Sequence, residues 1–86
     1  MKAITTRFIP CSNTRGSRVA AFDGDGNRVV LSKDDSLKRD DTHRRAAVAL
    51  CRKMGWSGTL VQGWLRRGEE VFVFLSEQET FKVDLE

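Results

Sequence analysis

The sequence predicts an α+β domain, a two-layer sandwich in which one helix lies across one face of a mostly antiparallel sheet of about five strands. Three observations support this fold class. Residues 40–56 are the one long stretch with helical periodicity, and several short segments alternate or are apolar in the manner of strands. Residues that favour turns separate these segments. The predicted element order is β-β-β-α-β-β, and a chain of 86 residues is expected to form a single domain.

The N-terminal half contains three predicted strands. Residues 2–9 alternate two sets of side chains, and Pro10 either ends that strand or lies at an edge of the sheet. Residues 18–22 and 28–31 are the second and third strands. The residues between them, Asp-Gly-Asp-Gly-Asn at 23–27, predict a tight hairpin because Asp-Gly and Gly-Asn tolerate a positive φ.

The helix is predicted from its ends and from its two faces. Asp40 and Asp41 provide an N-cap and negative charge at the positive end of the helix dipole. Gly55 fits the left-handed position just past the helix, so Trp56 is expected to pack back on Cys51. At about 100° per residue, one face is apolar and the other is basic. The apolar face comprises His43, Ala46, Ala47, Leu50, Cys51 and Met54, and the basic face comprises Arg44, Arg45, Arg52 and Lys53.

The C-terminal part contains two more predicted strands, residues 59–65 and 70–75, joined by a turn at 66–69. The last strand is apolar on both faces, so it is expected in the centre of the sheet or covered on both sides. Trp56 and Trp64 are expected at the ends or the rim of the core, and Arg7 and Arg18 or their neighbours on the open face of the sheet. Residues 1–75 are predicted to form one domain, followed by an acidic tail at 76–86 whose last residues, Leu85-Glu86, are either native or an expression-vector scar.

The charge of the chain is unevenly distributed. The net charge is +3, and because residues 76–86 contribute −3, residues 1–75 carry +6. A basic body with an acidic tail indicates a polyanionic partner, or a tail that shields a basic surface; the alternative is that the charge serves solubility alone.

Composition narrows the class of protein. The chain is 40% hydrophobic and 31% charged, as folded globular domains are, and it has no apolar run near the roughly 20 residues of a membrane span. The N-terminus is too polar for a secretory signal. Cys11 and Cys51 match no metal or redox spacing. We therefore expect a cytoplasmic protein with reduced cysteines, no metal and no cofactor.

The sequence contains three candidate chemical sites, and the support for each of them is weak. Residues 23–27 match the first half of a calcium loop, but Arg28 stands where that loop needs glycine, which favours a plain hairpin. His43 lacks a partner selected by spacing among Ser12, Ser17 and Cys11, so a packed or capping histidine is favoured over a catalytic one. The loop at 13–18 has the composition of an anion-binding turn, with an ordinary turn as the alternative.

The basic helix face, together with Arg66-Arg67 and nearby loops, predicts a phosphate-facing surface. Its alternative is a solvated face, because most aromatic residues, which RNA-reading sheets use for stacking, are needed for the core. The predicted nucleic-acid or anion-binding residues are Arg15, Arg18, Arg44, Arg45, Arg52 and Arg66.

Several stretches together resemble a family of small uncharacterised proteins encoded by bacterial phages, plasmids and integrated elements. They are Phe8-Ile9-Pro10, residues 13–18, Asp25-Gly26-Asn27, His43 with Ala46-Ala47, residues 53–58 and residues 71–74. The resemblance implies a bacterial, mobile-element origin and no established activity.

These observations lead to one functional expectation and one alternative. The expectation is a non-enzymatic binding module whose basic face contacts nucleic-acid phosphates. The alternative is a protein–protein interaction module, such as a phage-type inhibitor of a host system, that binds a host protein or forms a homodimer.

Overall fold

A computed structural model of the protein describes residues 3–13, 16–75 and 82–83. It contains strand β1 (Ala3–Ile9), strand β2 (Arg18–Phe22), strand β3 (Arg28–Ser32), helix α1 (Arg39–Met54), strand β4 (Leu60–Trp64) and strand β5 (Glu69–Phe74). The strands form one open antiparallel sheet in the order β3-β2-β1-β5-β4. The predicted α+β class and element order are confirmed, and β5 lies inside the sheet, between β1 and β4, as its apolar sequence predicted.

Strand register decides which side chains face the helix. Directly paired residues share a face of the sheet, as do alternate residues along one strand. Ile4 pairs with Phe72, and Thr6 pairs with both Ala21 and Glu70. All of these side chains point toward α1. The buried apolar cluster between the layers contains Ile4, Val19, Ala21, Ala46, Ala47, Leu50, Cys51 and Phe72.

Helix α1 buries the face that the sequence predicted, but it starts differently. Its N-cap is Lys38, which makes no side-chain capping bond, so the prediction that Asp40 and Asp41 cap the helix is wrong. Both aspartates lie in the first turn, where they still complement the dipole. Gly55 has φ 73° as predicted, and the N–H of Trp56 donates to the carbonyl of Cys51, which closes the helix with a Schellman-type pair of bonds.

Both predicted hairpins are present, and each has a local cause. The Asp23 carboxylate accepts hydrogen bonds from the backbone N–H groups of Asp25 and Asn27 and from the Asn27 side-chain amide, with Gly26 at φ 92°. In the second hairpin, Gly68 has φ 79° and the N–H of Glu69 donates to the carbonyl of Arg66. The positive φ angles explain why glycine stands at these turns.

The face of the sheet away from α1, here called the open face, carries both predicted arginines. Arg7 pairs with Glu69 at 2.8 Å and lies over the Phe22 ring, and Arg18 lies on the same side. Trp56 is half-buried, with its ring edge-on to Phe74, while Trp64 at the sheet edge is 70% exposed. In the part of the chain that is described, no helix is long and apolar enough to cross a membrane.

Candidate anion-binding site at one end of the sheet

A concave feature with apolar walls lies at the end of the sheet where β1 and β3 terminate and α1 begins. We call it the sheet-end pocket. Its volume is about 450 Å³, within the range of small-ligand sites. Its lining residues are Phe8, Pro10, Lys33, Leu37, Arg39, Thr42, His43, Arg67 and Gly68.

Three cations reach this pocket from three different parts of the chain. Lys33 follows β3, Arg39 is the first residue of α1, and Arg67 lies in the turn between β4 and β5. The Lys33 ammonium lies 5.8 Å from the centre of the Phe8 ring. Among the residues that the structure describes, none that lines the pocket is acidic. The pocket therefore combines an apolar wall with a positive rim, which suits a ligand that has a flat apolar part and an anionic group.

A buried polar network lies beneath the pocket. The Nδ1 atom of His43 is 2.6 Å from the Oγ1 atom of Thr6, and its Nε2 atom is 3.6 Å from the Oε2 atom of Glu70. The other Glu70 oxygen accepts a hydrogen bond from the Gln62 amide. His43 is 2% exposed, and Thr6 and Glu70 are fully buried. Because Nε2 faces a carboxylate, the tautomer with a proton on Nε2 is favoured, and Nδ1 then accepts the Thr6 hydroxyl proton.

The electrostatics of this network keep His43 neutral. Burial lowers the pKa of His43 below its usual value of 6.5, and the nearby Glu70 carboxylate opposes that shift without overcoming it. The Glu70 Oε2 atom is buried without a hydrogen bond, and the Arg39 guanidinium Nε lies 3.9 Å away. Glu70 thus offsets part of the Arg39 charge from below.

His43 occupies the packed position that the sequence favoured. Its described contacts are with Thr6 and Glu70, and none of them is with Ser17 or Cys11. Both cysteines are free thiols; Cys11 is exposed, and burial raises the pKa of the Cys51 thiol. Within the described ranges, no cluster of three or more His, Cys, Asp or Glu side chains is arranged to hold a metal.

Three of the six predicted arginines come together on the outer side of α1. Arg44, Arg45 and Arg52 line a shallow depression beside Val48, here called the helix groove. Arg44 donates to the Gln62 side chain and lies 3.8 Å from Asp41. The prediction that these arginines bind phosphate remains a prediction, but their convergence on one surface is a structural fact.

The other three predicted arginines lie elsewhere. Arg18 and Arg66 belong to the open-face side, where Arg66 lines a depression with Arg7 and lies 3.9 Å from Glu69. Arg15 lies outside the described residues. The six arginines therefore do not form one continuous surface within the described chain.

The binding residues predicted from the sequence omitted Lys33 and Arg39, and Arg67 was included only as the neighbour of Arg66 in the phosphate-facing surface. Each stands at the terminus of a predicted element, and the predicted antiparallel connections place these termini at the same end of the sheet. The predicted connections therefore indicated this cluster, but the predicted site was based on the basic face of the helix, which contains Arg44, Arg45 and Arg52. Leu37 lines both the sheet-end pocket and the helix groove, so the two basic depressions are neighbours.

Comparisons of the chain with protein-family models, with curated proteins and with solved structures return no match.

Proposed function

We propose that this protein is a non-enzymatic module that binds single-stranded nucleic acid across the sheet-end pocket and the adjoining helix groove. The observation that carries the proposal is the convergence of Lys33, Arg39 and Arg67 on one cavity with apolar walls, which no carboxylate of the described residues lines. The helix-groove arginines extend the positive surface past Leu37.

The shape of the pocket supports a single strand over a duplex. Phe8, Pro10 and Leu37 provide an apolar wall, and an unpaired base has an accessible flat face that can lie against such a wall. Bases in a duplex are stacked inside and do not reach a cavity. The guanidinium groups of Arg39 and Arg67 are suited to the phosphates on either side of that base, because their planar donors match phosphate oxygens.

The first experiment measures binding to a fluorescently labelled single strand of about 12 nucleotides by anisotropy at low salt. If about six cations contact phosphates, the logarithm of the association constant falls with the logarithm of salt concentration with a slope of about −4. Affinity then decreases by about 300-fold between roughly 50 and 200 mM salt. Absence of binding at low salt, to DNA and to RNA, refutes the proposal.

A matched pair of variants distinguishes the loss of a cation in the pocket from a general loss of positive charge. Arg67→Gln removes one cation from the pocket, and Arg28→Gln removes one exposed cation from β3, far from the pocket. We expect Arg67→Gln to weaken binding and to reduce the magnitude of the salt slope by about 0.7. Arg28→Gln is expected to leave the slope unchanged. Equal losses in the two variants would show that only overall charge matters, and the assignment of the pocket would be wrong.

A further inference from the structure

The two edges of the sheet differ in whether side chains of other elements hydrogen-bond to their outward backbone groups. Along an antiparallel strand, successive residues direct their backbone N–H and C=O groups alternately toward and away from the neighbouring strand. At the β3 edge, Asn27 and Lys33 hydrogen-bond toward β2, so the backbone groups of Arg28, Val30 and Ser32 point away from it. Two of these outward carbonyls are covered. Lys53 donates to the carbonyl of Arg28 at 2.9 Å, and Arg45 donates to the carbonyl of Ser32 at 3.2 Å. Cations of α1 therefore block this edge against pairing with another strand.

The β4 edge has no such protection among the described residues. The bonds from Leu75 to Thr59 and from Leu65 to Glu69 place the odd-numbered residues of β4 against β5. The backbone N–H and C=O groups of Leu60, Gln62 and Trp64 consequently point outward. No described residue hydrogen-bonds to them, and β4 contains neither proline nor a charged side chain. Such an edge is a template for another strand.

Four exposed large apolar side chains lie around this same edge. Val61, Trp64, Leu65 and Leu75 are between 50% and 70% exposed. Val61, Leu65 and Leu75 project toward the open face, while Trp64 projects toward the helix side. Exposed apolar side chains flanking an unpaired edge indicate a surface that is covered in the functional state.

Gly63 in the middle of β4 is not explained by the isolated chain. Its φ is not positive, and a Cβ placed on it would meet only the Cγ1 atom of Val71 at an ordinary 3.5 Å. Glycine weakens a strand interior and commonly marks the close approach of another backbone or side chain. The space above Gly63 therefore points to a neighbour outside the described fold.

We propose that two copies of this chain pair antiparallel through β4, with a two-fold axis at Gln62, so that the two sheets continue into one. This register follows because the outward backbone groups belong to the even-numbered residues of β4, which must pair with each other across the interface. Gln62 faces Gln62 of the second copy in a hydrogen-bonded pair, and Leu60 faces Trp64 of that copy. Each strand contributes the N–H and C=O groups of three residues.

The register makes β4 complementary to itself. On the helix side, Leu60 packs against Trp64 across the interface. On the open face, Val61 of one copy lies over Gly63 of the other in a non-hydrogen-bonded pair, where side chains approach most closely. The missing side chain of Gly63 accommodates Val61. A strand without charged residues also brings no like charges together across the two-fold axis.

The oligomeric state tests the pairing directly. Sedimentation over a concentration series is expected to give twice the 9.7 kDa mass of the monomer at high concentration. Trp64→Pro removes an outward N–H and places the proline ring in the interface, so it is expected to raise the dimer dissociation constant at least about tenfold. Val30→Pro is the matched control, because it removes an outward N–H from the opposite edge. It is expected to leave dimerisation unchanged.

A cross-linking experiment tests the register without a destabilising proline. The double variant Val61→Cys/Gly63→Cys, made with Cys11→Ser, is expected to form a disulfide-linked dimer under mild oxidation, because positions 61 and 63 face each other across the interface. Val61→Cys alone, also with Cys11→Ser, is expected to cross-link poorly. A monomer at about 1 mM refutes the proposal, as does a dimer that Trp64→Pro leaves intact or equal cross-linking of the two cysteine variants. None of these outcomes depends on nucleic-acid binding.

Discussion

The hydrogen bond between Thr6 and His43 is the most consequential polar contact in the core, and Thr6→Val removes it with little change of shape. Both side chains are buried, and their atoms are 2.6 Å apart. Valine fits a strand as well as threonine does, so the strand itself is not weakened. The substitution leaves the Nδ1 atom of His43 buried without a partner.

The expected cost follows from that orphaned atom. A buried polar group left without its hydrogen bond costs about 1–3 kcal/mol. In a domain of this length, such a loss lowers the midpoint of thermal unfolding by about 5–20 °C.

Thr42→Val is the matched control. Thr42 is also buried, and its hydroxyl donates to the carbonyl of Lys38 at 3.0 Å. That carbonyl already accepts the backbone N–H of Thr42, so the control variant leaves no orphaned group. Its expected cost is about 0.5 kcal/mol, the low end of what one intramolecular hydrogen bond contributes to stability.

Urea unfolding followed by tryptophan fluorescence gives the free energy of unfolding of both variants. A difference of at least about 1 kcal/mol between them supports the network. If Thr6→Val and Thr42→Val are equally stable, the Thr6–His43 bond contributes nothing net, and the account of the buried network is wrong.

Two further predictions concern the same helix. The folded pKa of His43 is lowered below 6.5, so at lower pH the unfolded chain binds a proton that the folded protein does not; stability is therefore expected to fall as pH drops below 6.5. NMR titration of the single imidazole measures this pKa, and a value of 6.5 or above would contradict the prediction. Gly55→Ala is expected to cost about 1 kcal/mol, because φ is 73° and a Cβ there meets nothing within 4 Å, so only backbone strain acts. Gly24→Ala, equally uncrowded but without a positive φ, is expected to cost much less by thermal unfolding, and equal costs would rule out backbone strain as the cause.

The features that could be predicted correctly from the sequence depend on residues that are close together along the chain. The apolar stripe of α1, the stop at Gly55 and the two hairpins rest on periodicity and on glycine at positive φ, which act over a few residues. The central place of β5 followed from its composition, since only a covered strand is apolar on both faces.

The strand order, the partners of the buried polar groups and the clustering of the cations depend on long-range contacts, so they became known from the three-dimensional fold. Glu70 is buried because β5 inserts between β1 and β4 and so aligns Glu70 with Thr6 beneath His43. Three cations cluster because the ends of strands and of the helix that are far apart in sequence come together at one end of the sheet. These cations are Lys33, Arg39 and Arg67. Such contacts result from pairing between distant segments, where a shift of one residue would turn every side chain to the opposite face, and no local pattern specifies that register.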